Sequence, residues 1–291
     1  METNKSTEKR NDRKGNHQMS LKKEDYVEPA CVLCGKPGDE EPVQAIDIGR
    51  VMEKLRVYED RNDWPQVERH LKYWLEEARA GRDERGQLTL NNELMGYYRK
   101  QGKRDLAFEH AEKAVELVKK LGMEDTITAG TTWVNAGTVR EAFGDPEGGL
   151  RYFRKARENY EKNLPEGDGR LGGLYNNMAL SLVSCGGYAE AMDLFRKALG
   201  VMAGQTYGEL EQAITWLNMA DAAEAAGGED AEQEITGYLD RAEALLNTES
   251  LPRNGYYAFV CEKCAPVFGH YGYFMTEQEL KKRAEQINRR S

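Results

Sequence analysis

The stretch GLYNNMALSLVSCGGYAEAMDLFRKALGVMA, running from Gly173 to Ala203, decides the fold. Its first half places Tyr175, Met178, Ala179, Leu182 and Val183 at steps of three and four, which is one face of a helix. Cys185-Gly186-Gly187 interrupts the pattern, and Ala191, Leu194, Phe195, Ala198, Leu199 and Met202 then resume it. Two amphipathic helices joined by a glycine turn fold back on each other, because neither buries its stripe alone. Small residues at Ala179, Ala191 and Ala198 let the two backbones approach closely. A pair of this size needs copies of itself on either side to be stable.

The copies are present. Anchored on the turn glycine, they fall at Gly102, Gly144, Gly186 and Gly227, at intervals of 42, 42 and 41 residues. Five residues after the first three turns stand Ala107, Gly149 and Ala191; nine after stand Ala111, Phe153 and Phe195; twelve after stand Ala114, Ala156 and Ala198. Eleven residues before the four turns lie Asn91, Trp133, Tyr175 and Trp216, and eight before lie Leu94, Ala136, Met178 and Met219. The copies span about 85–120, 127–162 and 170–203. A divergent first copy occupies residues 45–80, striped by Val51, Leu55 and Tyr58 and then by Val67, Leu71, Trp74 and Leu75. There Asn62 replaces the turn glycine, since Asn tolerates the left-handed backbone that ends helices. Trp64 and Trp74 read as core.

In the fifth copy, residues 208–247, Leu239 and Ala242 arrive three residues late, which implies an insertion after Gly227-Gly228. Carrying that offset forward puts a sixth turn at Gly272, with Ala284 twelve residues beyond it.

A bulky plug, a Leu-small pair, a turn glycine and then Ala, Phe and Ala along the second helix resemble the tetratricopeptide repeat. The period exceeds the usual length of about 34 and is similar to that of kinesin light chains. LNNELMGYYRKQGKRDLAFEHAEKAVEL, Leu90 to Leu117, is closest to that style. The resemblance covers roughly residues 45–290. It implies an all-α solenoid of five to six antiparallel helix pairs forming a right-handed superhelix. It also implies a non-catalytic scaffold or adaptor that takes a protein or peptide in its concave groove.

The organisation expected is therefore a disordered charged arm (1–28), a Cys-x-x-Cys turn segment (29–44), repeats (45–251) and a last helical pair (252–291). A net charge of −9 argues against nucleic acid as a partner, which would call for a basic stripe. No apolar run reaches the roughly 18 residues of a membrane span. The N-terminus has no apolar core of a secretory signal, so a cytoplasmic location is expected.

Four of the five cysteines form two Cys-x-x-Cys pairs, one of Cys31 and Cys34, the other of Cys261 and Cys264. One reading gives a zinc site of four thiolates, or a redox pair, with the repeats merely positioning the sulfurs. The other follows the repeat register, in which Cys261 and Cys264 take the buried plug and leucine positions as two small hydrophobes. Pro266 counts against that register, because proline breaks or kinks a helix interior. His17, His70, His110 and His270 are scattered without metal-ligand spacing. Gly148-Gly149 and Gly172-Gly173 follow no strand, so neither is a phosphate loop. Nothing here assembles a catalytic constellation.

A polar series is more informative. Asn135, Asn177 and Asn218 recur nine residues before their turns; Asn92 sits one position earlier in its own copy, and Asn176 lies beside Asn177. Asn is a mediocre helix former, so its recurrence in mid-helix asks for a reason. The resemblance places this position on the concave groove, where an amide offers a donor and an acceptor to an extended backbone. The alternative is that these asparagines bond to neighbouring helices within the solenoid.

Overall fold

A computed structural model describes residues 26–27 and 43–289. Twelve helices occupy these residues, in six consecutive pairs: α1 (Ile48–Asp60) with α2 (Trp64–Ala80), α3 (Glu84–Lys100) with α4 (Arg104–Lys120), and α5 (Ile127–Ala142) with α6 (Pro146–Asn163). The series continues with α7 (Gly169–Ser184) and α8 (Tyr188–Ala203), α9 (Glu209–Ala226) and α10 (Ala231–Leu246), and α11 (Gly255–His270) and α12 (Phe274–Asn288). The all-α solenoid expected from the repeat is the observed one.

Each pair turns on left-handed backbone at the residue the register picks out: Asn62, Gly102, Gly144, Gly186, Gly227 and Gly272, with φ between 53° and 81°. In five of the six the next amide reaches back across the helix end, as in Lys103 N to Tyr98 O at 2.9 Å and Gly187 N to Leu182 O at 2.8 Å. These bonds satisfy carbonyls that a helix end would otherwise leave open. The exception is unit five, where Gly227 and Gly228 are both left-handed and α10 starts late, at Ala231. That is the inserted segment that delays Leu239 and Ala242, both fully buried.

Within each unit the seam is built from small residues. Ala107, Ala156, Ala191 and Ala198 have no exposed surface. In α5 the seam is tighter still: a Cβ added at Gly137 would lie 2.5 Å from the Phe153 ring, and one at Gly130 would lie 2.4 Å from the Tyr160 ring. The α5 glycines are seats for the aromatic rings of α6. Trp74 is buried as expected, whereas Trp64 is only half-buried at the edge of the core.

Second helices pack on the first helix of the next unit, and the first helices α3, α5, α7, α9 and α11 also meet one another in series. Successive second helices make no comparable approach. A stack drawn together along its first helices curves toward them, so these helices form the inner wall. The last junction departs from the rule. α10 and α11 lack the close backbone approach seen between α8 and α9, and α11 leans on α9 instead. The apolar core divides earlier, along α9: one cluster ends at Met219 and Ala222, and the other begins at Leu210 and runs on through α10, α11 and α12. Polar links hold the joint: Tyr257 donates to the Leu246 carbonyl at 3.0 Å, and Arg283 bonds Asn247 at 2.8 Å and the Tyr257 hydroxyl at 3.1 Å.

Pro266 does not break α11. The helix runs through it with the ring on the exposed side, where the loss of one amide bond costs least. At the other end, Tyr26–Val27 pairs antiparallel with Ala45–Ile46 in a two-residue ladder, so the last residues of the expected arm are part of the fold. The remainder of that arm lies outside the described residues, and so do Cys31 and Cys34. Asp83 anchors the ladder to unit two, accepting from Ile46 N at 3.1 Å and from Gly86 N at 2.8 Å as the N-cap of α3.

One buried polar pair replaces an aromatic plug. His110 Nδ1 lies 2.7 Å from Asn91 Oδ1, with the imidazole stacked on Tyr98. Burial, reinforced by Lys113, lowers the His110 pKa from 6.5 to about 4. Between those values the unfolded chain binds a proton that the folded chain refuses, so stability falls as pH drops through that window. The loss is at most about 3 kcal/mol. Urea unfolding at a series of pH values should therefore show a shallower loss below pH 6.5 for His110→Gln than for the wild type. A second expectation concerns the ring seats: Gly137→Ala should cost about 1–3 kcal/mol by overpacking Phe153, read as a lowered unfolding midpoint. A midpoint unchanged by Gly137→Ala would mean that the α5–α6 seam is not close-packed.

Candidate peptide-binding wall

Six turn residues fix the register of the inner wall, and two positions on each first helix carry its amides. Asn92 and Asn176 lie ten residues before their turns, while Asn135, Asn177 and Asn218 lie nine before theirs. The earlier position points toward the following unit and the later one back toward the preceding unit. Asn135 Nδ2 donates to Asn92 Oδ1 at 3.1 Å, joining α5 to α3, and Asn218 Nδ2 donates to Asn176 Oδ1 at 3.1 Å, joining α9 to α7. Asn92 also donates to Thr132 Oγ1 and to its own helix at Leu88 O, both at 3.0 Å. Four of the five asparagines therefore act as clasps between neighbouring first helices.

Asn177 is the exception. Its counterpart ten before the turn on α5 is Val134, which has no acceptor to offer. Asn177 is half-buried and makes no side-chain hydrogen bond among the described residues. Around it stand Gly173, Leu180 and Ser184 on α7 and Thr138 on α5, and Ser184 donates to the Glu141 carboxylate of α5 at 3.2 Å. Between units three and four, then, the ladder lacks a rung and leaves an amide donor and acceptor accessible.

The wall changes character toward units five and six. Glu211, Asp221 and Glu224 on α9 meet hydroxyls of α11: Tyr256 donates to Glu211, and Tyr271 donates to Asp221 at 3.0 Å and to Glu224 at 3.2 Å. Burial raises the pKa of Glu211 and of Asp221 above the ordinary carboxylate values. Tyr256 and Phe259, 45% and 54% exposed, stack with ring centroids 6.2 Å apart. The sequence reading passed over this aromatic pair. Its signal lies in the register, since Phe259 stands thirteen before Gly272, where earlier units carry Gly49, Thr89, Thr131, Gly173 and the buried Ile214.

Only one of the two cysteine pairs lies among the described residues. Cys31 and Cys34 lie outside those residues, so half of the ligand set expected for zinc has no place in the described fold. Cys261 and Cys264 are fully buried in the last core cluster, at the plug and leucine positions. Burial pushes their thiols up to about 11 and about 12, away from the thiolate form that binds metal. No group of three or more His, Cys, Asp or Glu side chains able to hold a metal occurs among the described residues. No helix among them is long and apolar enough to cross a membrane.

Tetratricopeptide-repeat family models match residues 87–162 and 172–203, the parts with the most regular register. The chain carries tetratricopeptide repeats. The fold is similar to the crystal structure of BtubC (BKLC) from P. vanneervenii, with a TM-score of 0.61 at 20% identity over 71% of this chain and 84% of that one. It is also similar to a putative kinesin light chain with nearly identical TPR-like repeats from Podosopora anserina, with a TM-score of 0.52 at 16% identity over 69% of this chain and 95% of that one. At these identities the likeness concerns the fold. Among curated proteins none matches significantly.

If the clasps join repeats, Asn176→Ala and Asn218→Ala should each lower stability by about 1 kcal/mol. The double variant should cost little more than either alone, because both remove the same bond. Full additivity in chemical unfolding would show that the two amides act independently.

Proposed function

We propose that this repeat protein is a non-catalytic scaffold whose inner wall binds an extended segment of a partner protein. The reading rests on Asn177. An amide placed on a curved, open wall without an internal partner can donate to and accept from the backbone of a bound strand. The uncharged neighbours Gly173, Leu180 and Thr138 leave room for a main chain to approach. Asn92, Asn135, Asn176 and Asn218 line the same wall and hold its repeats at the spacing the strand would span. They retain acceptor or donor capacity beyond their mutual bonds.

Two variants of the full chain test this by opposite means. Asn177→Ala deletes the amide, and Val134→Asn supplies the missing rung so that the amide is engaged internally. Both should weaken capture of partners from host lysate by about five- to tenfold, equivalent to about one lost hydrogen bond. The melting temperature should hold for Asn177→Ala and hold or rise for Val134→Asn. Unchanged recovery with both variants would place the binding surface elsewhere.

A further inference from the structure

The inner wall of units five and six carries features that the clasps and the core do not use. Resting on the inner-wall reading above, we infer that this end of the groove selects a segment rich in arginine or lysine, with a cationic side chain seated on the Tyr256–Phe259 stack beside Glu211.

The aromatic pair comes first. At this register position, where other units carry Gly, Thr or a buried Ile, α11 carries a ring that is more than half exposed, stacked on a second one. Neither ring fills core. The stack is tied to charge, because the Tyr256 hydroxyl donates to Glu211 on the adjacent helix. An electron-rich ring face next to a carboxylate attracts a guanidinium or ammonium group in both respects.

Charge complementarity selects the occupant. α9 contains four acidic residues, Glu209, Glu211, Asp221 and Glu224, and no lysine or arginine. The groups facing its inner carboxylates from α11 are two tyrosine hydroxyls, His270 on Glu224 and, near Glu211, Lys263. No lysine or arginine forms an ion pair with Glu211, Asp221 or Glu224 among the described residues. Cations stand elsewhere: Arg151, Arg154, Lys155 and Arg157 on α6, Lys113, Lys119 and Lys120 on α4, and three each on the first helices α1 and α3 at the other end of the stack. This segregation leaves the C-terminal part of the wall negative. Glu211, half-buried and bonded by the neutral Tyr256 hydroxyl, gains from a second cation beyond Lys263, since the fold already bears much of the cost of desolvating it. An acidic or phosphorylated segment would be repelled by the same groups.

The test uses the full chain and short fluorescein-labelled Gly-Ser peptides in which every third residue is Arg, Gln or Asp, read by anisotropy. The Arg peptide should bind about tenfold more tightly than the Gln peptide and weaken with added salt. Phe259→Ala and Glu211→Gln should each reduce Arg-peptide affinity about three- to tenfold, while Glu158→Gln, on the exposed outer side of α6, should leave it unchanged. Phe259 is solvent-facing, so its variant keeps the fold; far-ultraviolet circular dichroism and the melting temperature check this. Equal binding of Arg and Gln peptides, both lost with Asn177→Ala, would overturn the charge preference and leave the inner-wall reading standing. Preference for the Asp peptide, Arg binding indifferent to Phe259→Ala and Glu211→Gln, or no binding of any peptide would each overturn it. A dimer in sedimentation that dissolves with Phe259→Ala would assign the aromatic pair to self-association and overturn it as well.

Discussion

The contact on which everything else depends is the seam between the two helices of a unit, closed at one end by a left-handed residue. A helix of about sixteen residues with one apolar stripe is marginal alone in water. Folding it back onto a second helix buries the stripe only if the backbones come close, and that requires Ala or Gly where they touch. Ala156 and Ala198 meet this requirement in the ordinary way. In unit three, Gly137 and Gly130 meet it by omission, so that the rings of Phe153 and Tyr160 rest against bare backbone. Once a unit is formed, its remaining apolar edge can be covered only by another unit. The length of the solenoid follows from that demand.

This seam is also what made the fold legible in the sequence. The turn residues, the Ala and Phe positions of the second helix and the three-residue delay in unit five are all direct consequences of packing. Each left a mark at a fixed spacing, and even Gly272 could be located by carrying the delay forward. Less visible were features that depend on which neighbour a side chain meets. Arg82 and Tyr207 adopt left-handed backbone in links between units, and neither residue type announces it. Pro266 looked like a helix breaker, yet its ring lies on the exposed face, where the missing bond costs least. The looser joint between α10 and α11 depends on tertiary contact and had no periodic signature beyond the longer link.

The asparagines show where one-dimensional reading stops. Counting from the turns treats Asn135, Asn177 and Asn218 as equivalents and Asn92 as a slip of one position. In three dimensions the slip is the point: a residue ten before one turn meets a residue nine before the next. Equivalence in sequence therefore conceals two roles. Asn135 and Asn218 find acceptors in Asn92 and Asn176, whereas Asn177 faces Val134 and finds none. Whether an amide is engaged within the solenoid is decided by the residue about forty-two positions earlier, not by its own surroundings in the chain.

Charge follows a similar division of labour. Second helices face outward with little to constrain them and carry mixed lysine, arginine and glutamate, much of it paired along the helix, as Arg157 with Glu161. Among first helices the charge varies along the stack: α1 and α3 carry three lysine or arginine residues each, whereas α7 and α9 are rich in Ala, Gly, Leu and Asn and α9 has no cation. The few charges that remain on α9 are carboxylates short enough to bond across to α11 tyrosines. The negative sign of this end thus comes from α9, whose only charged side chains are carboxylates, and from α11 hydroxyls that bond them without adding charge.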